Sequence, residues 1–406
     1  MRISAKGRFL CQAAVILGTG FIGLQAVLAW DSANQASNAP RPLPEFYAGN
    51  PAGYNLPRVL QEYGAPFYGG VGSNVATPLS LEEYRTTFMF DPSKIPEVLV
   101  SLGLPADPVR VALGHEATFP YRFLNGVATR WVKPETALLV FLRRMRTRGS
   151  VLMADQRFWG RSVGWQSEVF NSVLDFVSTQ WVPLKIQSLD TRVFNRWRLQ
   201  DYADKLWDCG LKLPGIVGFV DGTFHSIYRP GRDGYAGILQ QCFYSGDKKG
   251  HGLVFEMITF PDGMVGRAFG PVSGRHHDHY LARRSRLLHL LVQGGLRGFR
   301  LFGDKAYVGF GARIIHPFIA AAVGSVQAAW NTHTSAYRIS VENDIGNIYS
   351  RCACLQNDMR LETQVPENWL QVAVLMNNIH TCVYHNSQTA IRFGCAPPSL
   401  QEYMQK

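Results

Sequence analysis

The stretch LKLPGIVGFVDGTFHSIYRP, residues 211–230, carries a short apolar run that stops on Asp221, followed by Gly222 and Thr223. Ile216, Val217, Phe219 and Val220 read as a strand buried on both faces, because unbroken β-branched and aromatic runs of this length suit the middle of a sheet. An ionised carboxylate at the end of such a strand is poorly solvated unless a metal, another cation or hydrogen-bond donors meet it. Whatever meets Asp221 has to come from elsewhere in the chain.

Downstream, residues 252–260 (GLVFEMITF) read as a strand, Pro261-Asp262-Gly263 as a tight turn, and residues 264–269 as its antiparallel partner. Asp278 is placed to cap a helix that runs through Leu281, Leu287, Leu288, Leu290 and Leu291 until Gly298 breaks it. Residues 300–303, RLFG, form a second apolar strand, and it too ends on an aspartate, Asp304. Neighbouring strand ends would bring the two carboxylates together, and a like-charged pair needs a cation between. Residues 340–351, SVENDIGNIYSR, read as a helix with Glu342, Asn343 and Asp344 in its early turns, which offers a third carboxylate. Residues 366–385 are an apolar helix suited to packing on the sheet.

Upstream, residues 31–78 are rich in Pro, Gly, Asn and Ser without sustained period and read as a linker. Ser80-Leu81-Glu82-Glu83 has the form of a helix start, a capping residue followed by an acidic first turn, and a second helix is expected over residues 95–102. Pro105, Pro108 and Pro120 then keep the chain irregular. Pro134 opens a stronger helix with Leu138, Leu139, Phe141, Leu142 and Met145 on one face, and Arg143, Arg144, Arg146 and Arg148 crowd its far end, where they offset the helix dipole. A short helix near residues 151–158, a turn at 160–164 and a helix over 165–177 follow. This order with basic flanks is compatible with a helix-turn-helix over residues 133–181. Another helix, covering at least residues 199–206, leads into the central strand.

The chain has 406 residues, 46% of them hydrophobic, enough for a large core and two or three structural units. Its 41 Lys and Arg against 30 Asp and Glu give a net charge of +11, which favours polyanionic partners such as nucleic acid. Seven cysteines lie scattered, and Cys352-x-Cys354 lacks a matching second pair. The spacing shows no disulfide framework and no zinc ribbon, and reduced thiols in an intracellular protein are the expectation. Against that, Arg2, Lys6 and Arg8 precede an apolar run over residues 9–28 that has the layout of a secretory signal or anchor, unless it is a misplaced start.

Several ordered pieces resemble the PIF/Harbinger group of DDE transposases and the nucleases derived from them: LPGIVGFVDGT at 213–223, HGLVFEMITFPDG at 251–263, GPVSGRHHD at 270–278, LFGDKAY at 301–307, VENDIGNIYSR at 341–351 and LMNNIH at 375–380. The resemblance covers roughly residues 211–385. It implies an α/β, RNase H-like catalytic domain, a mixed sheet flanked by helices, over residues 211–390, preceded by a helical region over 79–210 and followed by a tail over 391–406. It also implies a metal-dependent DNA endonuclease or transposase in which Asp221, Asp304 and Glu342 hold two divalent ions, Mg²⁺ or Mn²⁺. Hard oxygen ligands suit those ions, and a pair of them can clamp the attacking and leaving oxygens of a phosphoryl displacement. The implied partners are DNA, both terminal repeats and target, with an accessory DNA-binding protein and self-association further expectations. Arg143, Arg144, Arg146, Arg148, Arg229, Arg232 and Arg275 are the candidates for phosphate contact. Where the family carries a histidine after the first aspartate, this chain has Phe224-His225. The family implies a nuclear location, and the apolar residues 1–30 conflict with it. The competing functional expectation is a domesticated, catalytically silent DNA- or partner-binding protein on the same fold.

Overall fold

The computed structural model describes residues 67–68, 77–104, 119–122, 129–148, 155, 158–230, 236–360 and 366–406. The leader-like segment, all of the linker but residues 67–68 and 77–78, most of the short helix expected near 151–158, and Arg232 lie outside these.

The first helix, α1 (Leu81–Phe88), starts as its sequence dictates. The Ser80 hydroxyl accepts the Glu83 N–H at 3.2 Å and the Glu83 carboxylate accepts the Ser80 N–H at 2.8 Å, a reciprocal cap. Helix α2 (Ile95–Leu102) follows and ends on Gly103 in the left-handed region. Where prolines argue for irregular chain, β1 (Phe119–Arg122) and β2 (Thr129–Val132) pair antiparallel. A two-stranded ribbon is all edge, so Pro120 costs it no ladder bond that a central strand would need.

Pro134 begins α3 (Pro134–Arg146), and Ser162 caps α4 (Val163–Gln180), longer than expected at both ends. The two helices pack through Phe141 on Phe170, ring centroids 5.6 Å apart. Asn195 caps α5 (Arg196–Asp208), which delivers the chain to β3 (Ile216–Ser226). There follow α6 (Ala236–Phe243), the short β4 (Tyr244–Ser245), β5 (Gly250–Thr259) and β6 (Val265–Ser273). The expected single helix from Asp278 is two, α7 (Asp278–Arg284) and α8 (Leu287–Val292), because Arg286 adopts a left-handed conformation (φ 55°) that no helix interior allows. Strands β7 (Arg300–Phe302) and β8 (Ile314–Ile315) precede the long α9 (Val326–Arg351), whose first half the sequence reading missed. Helices α10 (Pro366–Tyr384), α11 (Gln388–Phe393) and α12 (Leu400–Tyr403) complete the chain. No helix among the described residues is long and apolar enough to cross a membrane.

The sheet is mixed and ordered β8-β7-β3-β5-β4, with β6 also on β5. Strand β3 runs parallel to β7 on one side and antiparallel to β5 on the other. Helices flank it, and one contiguous buried cluster extends from Tyr84 in α1 to Met404 after α12. Phe170 of α4 meets Trp369 of α10 at 4.9 Å, so the helical region and the sheet share their core. The Pro261-Asp262-Gly263 turn is where the sequence puts it, but it is buried. Asp262 accepts the Met264 N–H at 3.0 Å and the Tyr202 hydroxyl, and burial pushes its carboxyl up to about 6.

Gly218 shows how tightly β3 is seated, since a Cβ there would stand 2.4 Å from the Thr259 carbonyl oxygen and 2.8 Å from Phe260 Cδ1. The nearest atom is backbone and cannot swing away. Gly218→Ala is therefore expected to lower stability by about 1–3 kcal/mol, read as a lower midpoint in equilibrium urea unfolding. An unchanged midpoint would contradict this packing.

Candidate active site

Asp221 is not at the end of its strand. Strand β3 continues five residues further, paired with β5 from Phe219–Thr259 through Asp221–Met257 to Ser226–Gly252. The strand that does end is β7. Its last pair is Phe302 with Phe219, so beyond that point no strand covers this edge of β3. Two residues on in each parallel chain stand Asp221 and Asp304, which places Asp304 level with Asp221 at the uncovered edge. The sequence expectation of two aspartates meeting at strand ends thus needs one strand end, not two.

Side chains alternate along β3. Asp221, Thr223 and His225 face α9, where the His225 ring lies 6.1 Å from Tyr349. Gly222 and Phe224 face the other way, and Phe224 joins Val254, Val272 and Leu281 of α7 in a small apolar cluster. The Asp221 carboxylate accepts the Gly222 N–H at 2.9 Å. Burial pushes its pKa up to about 6; the Arg338 charge and the Gly222 bond oppose this, and the carboxylates of Asp304 and Asp278 add to it. Asp304 accepts the Ala306 N–H at 2.8 Å, which fixes the turn that follows β7. His225 is buried and held neutral, its pKa lowered to about 4 by desolvation.

Glu342 is placed differently from its two companions. It lies on α9, 54% exposed, and accepts from Arg338 one turn earlier at 3.0 Å. Arg338 is the α9 side chain whose charge acts on Asp221. Asp344, also in the expected acidic turn, is buried, accepts from Thr389 at 2.8 Å and is pushed up to about 7 by desolvation.

The sequence reading assigned Asp278 to capping α7. The N-cap is His277, without a side-chain bond, and the Asp278 carboxylate lies instead against Gly222. No sequence signal marks this, because the contact joins residues 56 positions apart (278 − 222) through the packing of α7 on the sheet. The histidines beside it hold no metal geometry. His276 stacks on Tyr280 at 3.9 Å and His279 meets Phe310 edge-on at 5.1 Å. Cys352 and Cys354 are buried free thiols, as read.

Among the described residues no group of three or more His, Cys, Asp or Glu stands assembled as a metal cage. The donor chemistry nevertheless fits a hard divalent cation. Carboxylate oxygens gather at one strand edge, the Asp278 carboxylate takes the space beside Gly222 that a Cβ would fill, and the Tyr307 hydroxyl is buried there without a hydrogen-bond partner.

Of the candidate arginines, Arg143 pairs with Asp155 at 2.6 Å and lies over the Phe158 ring at 4.0 Å. Arg146 donates to the carbonyls of Thr86, Ser350 and Arg351 at 2.9–3.0 Å, tying α3 to the end of α9. Arg229 is held by Gln240 at 2.8 Å. Arg148 and Arg275 are exposed. Arg144 lines an open cleft of about 590 Å³, with Asp155, Trp159, Tyr228 and Arg360, that is apart from Asp221, Asp278, Asp304 and Glu342.

A mixed sheet with carboxylates gathered at the uncovered edge of its central strand suits a nuclease of the DDE kind. The family model described as DDE superfamily endonuclease matches residues 220–378, the segment that carries Asp221, Asp278, Asp304 and Glu342. That match supports a nuclease- or transposase-like activity for this part of the chain, with DNA as its substrate. Comparison with curated proteins and with solved structures finds no match.

Asp221 titrates near 6 against an ordinary 3.8. Below about pH 3 it is protonated in the folded and unfolded chain alike, and it costs nothing. From about pH 4 to 6 the unfolded chain loses its proton first, so the folded state loses stability, fully so above pH 6. In EDTA, Asp221→Asn is expected to be more stable than wild type at pH 7, by on the order of 1–3 kcal/mol, with the difference shrinking to nothing near pH 3. Thermal melts across that range check the difference.

Proposed function

We propose that the chain is a divalent-metal-dependent DNA endonuclease or transposase of the PIF/Harbinger type, with an RNase H-like catalytic fold, acting on phosphodiester bonds at transposon ends. The observation that carries this reading is the meeting of Asp221 and Asp304 at the uncovered edge of β3 inside the matched segment. Asp221, Asp304 and Glu342 are the carboxylates that would hold two ions, Mg²⁺ or Mn²⁺. Bound there, such ions supply Lewis-acid stabilisation of the attacking and leaving oxygens.

The chain's own residues prepare the site. The Gly222 N–H orients the Asp221 carboxylate, and the Ala306 N–H orients that of Asp304. Arg338 is the resident positive charge. It pairs with Glu342 and offsets part of the charge on Asp221, so a phosphate that engaged Arg338 would release Glu342 toward the centre. Phosphate contacts from exposed Arg148 and Arg275 suit the basic balance of the chain. The helices α3 and α4 would serve as the helix-turn-helix against DNA, within a nuclear protein that works with target DNA, an accessory binder or further copies of itself.

With Mg²⁺ or Mn²⁺, the purified protein should nick or join DNA bearing the terminal repeats of its element. Asp304→Ala should lower the rate at least about 10³-fold, the order expected when a charge-stabilising group of the site is lost, while melting as wild type does. Cleavage by Asp304→Ala at the wild-type rate would refute the site. Salt-dependent DNA binding without cleavage by the wild-type protein would identify the silent scaffold instead.

A further inference from the structure

Asp278 is an unusual carboxylate. A Cβ built on Gly222 would stand 2.1 Å from its Oδ1 and 2.7 Å from its Cγ, so the side chain occupies the space that only a glycine leaves open beside Asp221. Glycine inside a strand often marks such a close approach. Asp278 has no hydrogen-bond or ion-pair partner among the described residues. The charge that acts on it most is the like charge of Asp304, partly offset, among the described residues, by His277 and Lys248.

A second observation comes from Tyr307. Its hydroxyl is fully buried, makes no hydrogen bond, and lies within electrostatic reach of Asp278, Asp221, Asp304 and Glu256. Glu256 is Gly222's cross-strand neighbour, so this hydroxyl belongs to the α7 side of the sheet. A half-buried carboxylate with no partner, two like charges beside it and an unsatisfied hydroxyl next to them make a place suited to a cation and the groups a cation would order.

We propose that Asp278 is a further cation-holding carboxylate of this centre, acting with Asp304 on the α7 side of β3 while Asp221 serves the α9 side. Asp304, at the uncovered edge, is then shared between the two sides. The Tyr307 hydroxyl is placed to donate to a carboxylate or water of that set. The proposal rests on the nuclease reading for the identity of the cation, Mg²⁺ or Mn²⁺.

The test is Mn²⁺ binding by the full chain, read from the loss of the free-ion electron paramagnetic resonance signal, with thermal melting in EDTA as the fold control. Asp278→Asn should weaken Mn²⁺ binding by about tenfold or more and should melt no lower than wild type, since it removes a repelling charge. Gly222→Ala should weaken binding likewise by displacing the carboxylate, and exposed Glu82→Gln should leave it unchanged. Wild-type Mn²⁺ affinity in Asp278→Asn, with binding lost in Asp221→Asn, would overturn this proposal and leave the nuclease reading standing. A lower melting temperature for Asp278→Asn in EDTA would make the side chain structural and overturn it too. No Mn²⁺ binding by wild type at millimolar concentration would remove both readings.

Discussion

The unequal lengths of two neighbouring strands govern the rest of the molecule. Strand β3 is paired with β5 from Phe219 to its end at Ser226, yet β7 stops at Phe302 and leaves the other edge of β3 uncovered from Asp221 until Met359 meets it at Ser226 and Ile227. Bare backbone beside a buried core is costly unless polar groups come to it. The side chains that gather at this edge are carboxylates, Asp304 from the turn after β7 and Asp278 from the start of α7, while the Gly222 N–H there is met by Asp221 itself. Their mutual repulsion would weaken the fold if nothing positive joined them, and Arg338 supplies only part of that charge.

The surrounding helices hold this edge in place. Helix α9 brings Arg338 over one face of β3 and Leu281 seats α7 on the other, so the two faces of a single strand contribute to one polar centre. Arg146 fastens α3 to the end of α9 through two carbonyl bonds and to α1 through a third. Two of the arginines at the end of α3, Arg143 and Arg146, are thus engaged within the protein, Arg143 with Asp155 and Arg146 with carbonyls at helix ends.

Much of the fold was legible residue by residue. Ser80 with Glu83, Pro134, and the apolar run of residues 252–260 before the Pro261-Asp262-Gly263 turn announced α1, α3 and β5, since caps, fixed φ angles and turn-bounded apolar runs are local properties. The failures share a cause as well. The continuation of β3 through residues 221–226, the β1–β2 ribbon and the first half of α9 depend on partners distant in sequence, and polar or proline-bearing residues accept those conformations only when a neighbour satisfies them.

For the candidate site, the sequence by itself determined which acids stand beside apolar strands, Asp221 and Asp304, because the cost of an acid next to a buried run can be read from the run. It also determined the acidic turn with Glu342, though not which way each acid in it faces. Only the tertiary structure decided that Asp221 lies within a strand, that Arg338 occupies Glu342, and that Asp278 rests against Gly222. Those are relations across the sheet, set by register and helix packing, and a carboxylate's solvation depends on what surrounds it in space rather than on what precedes it in the chain.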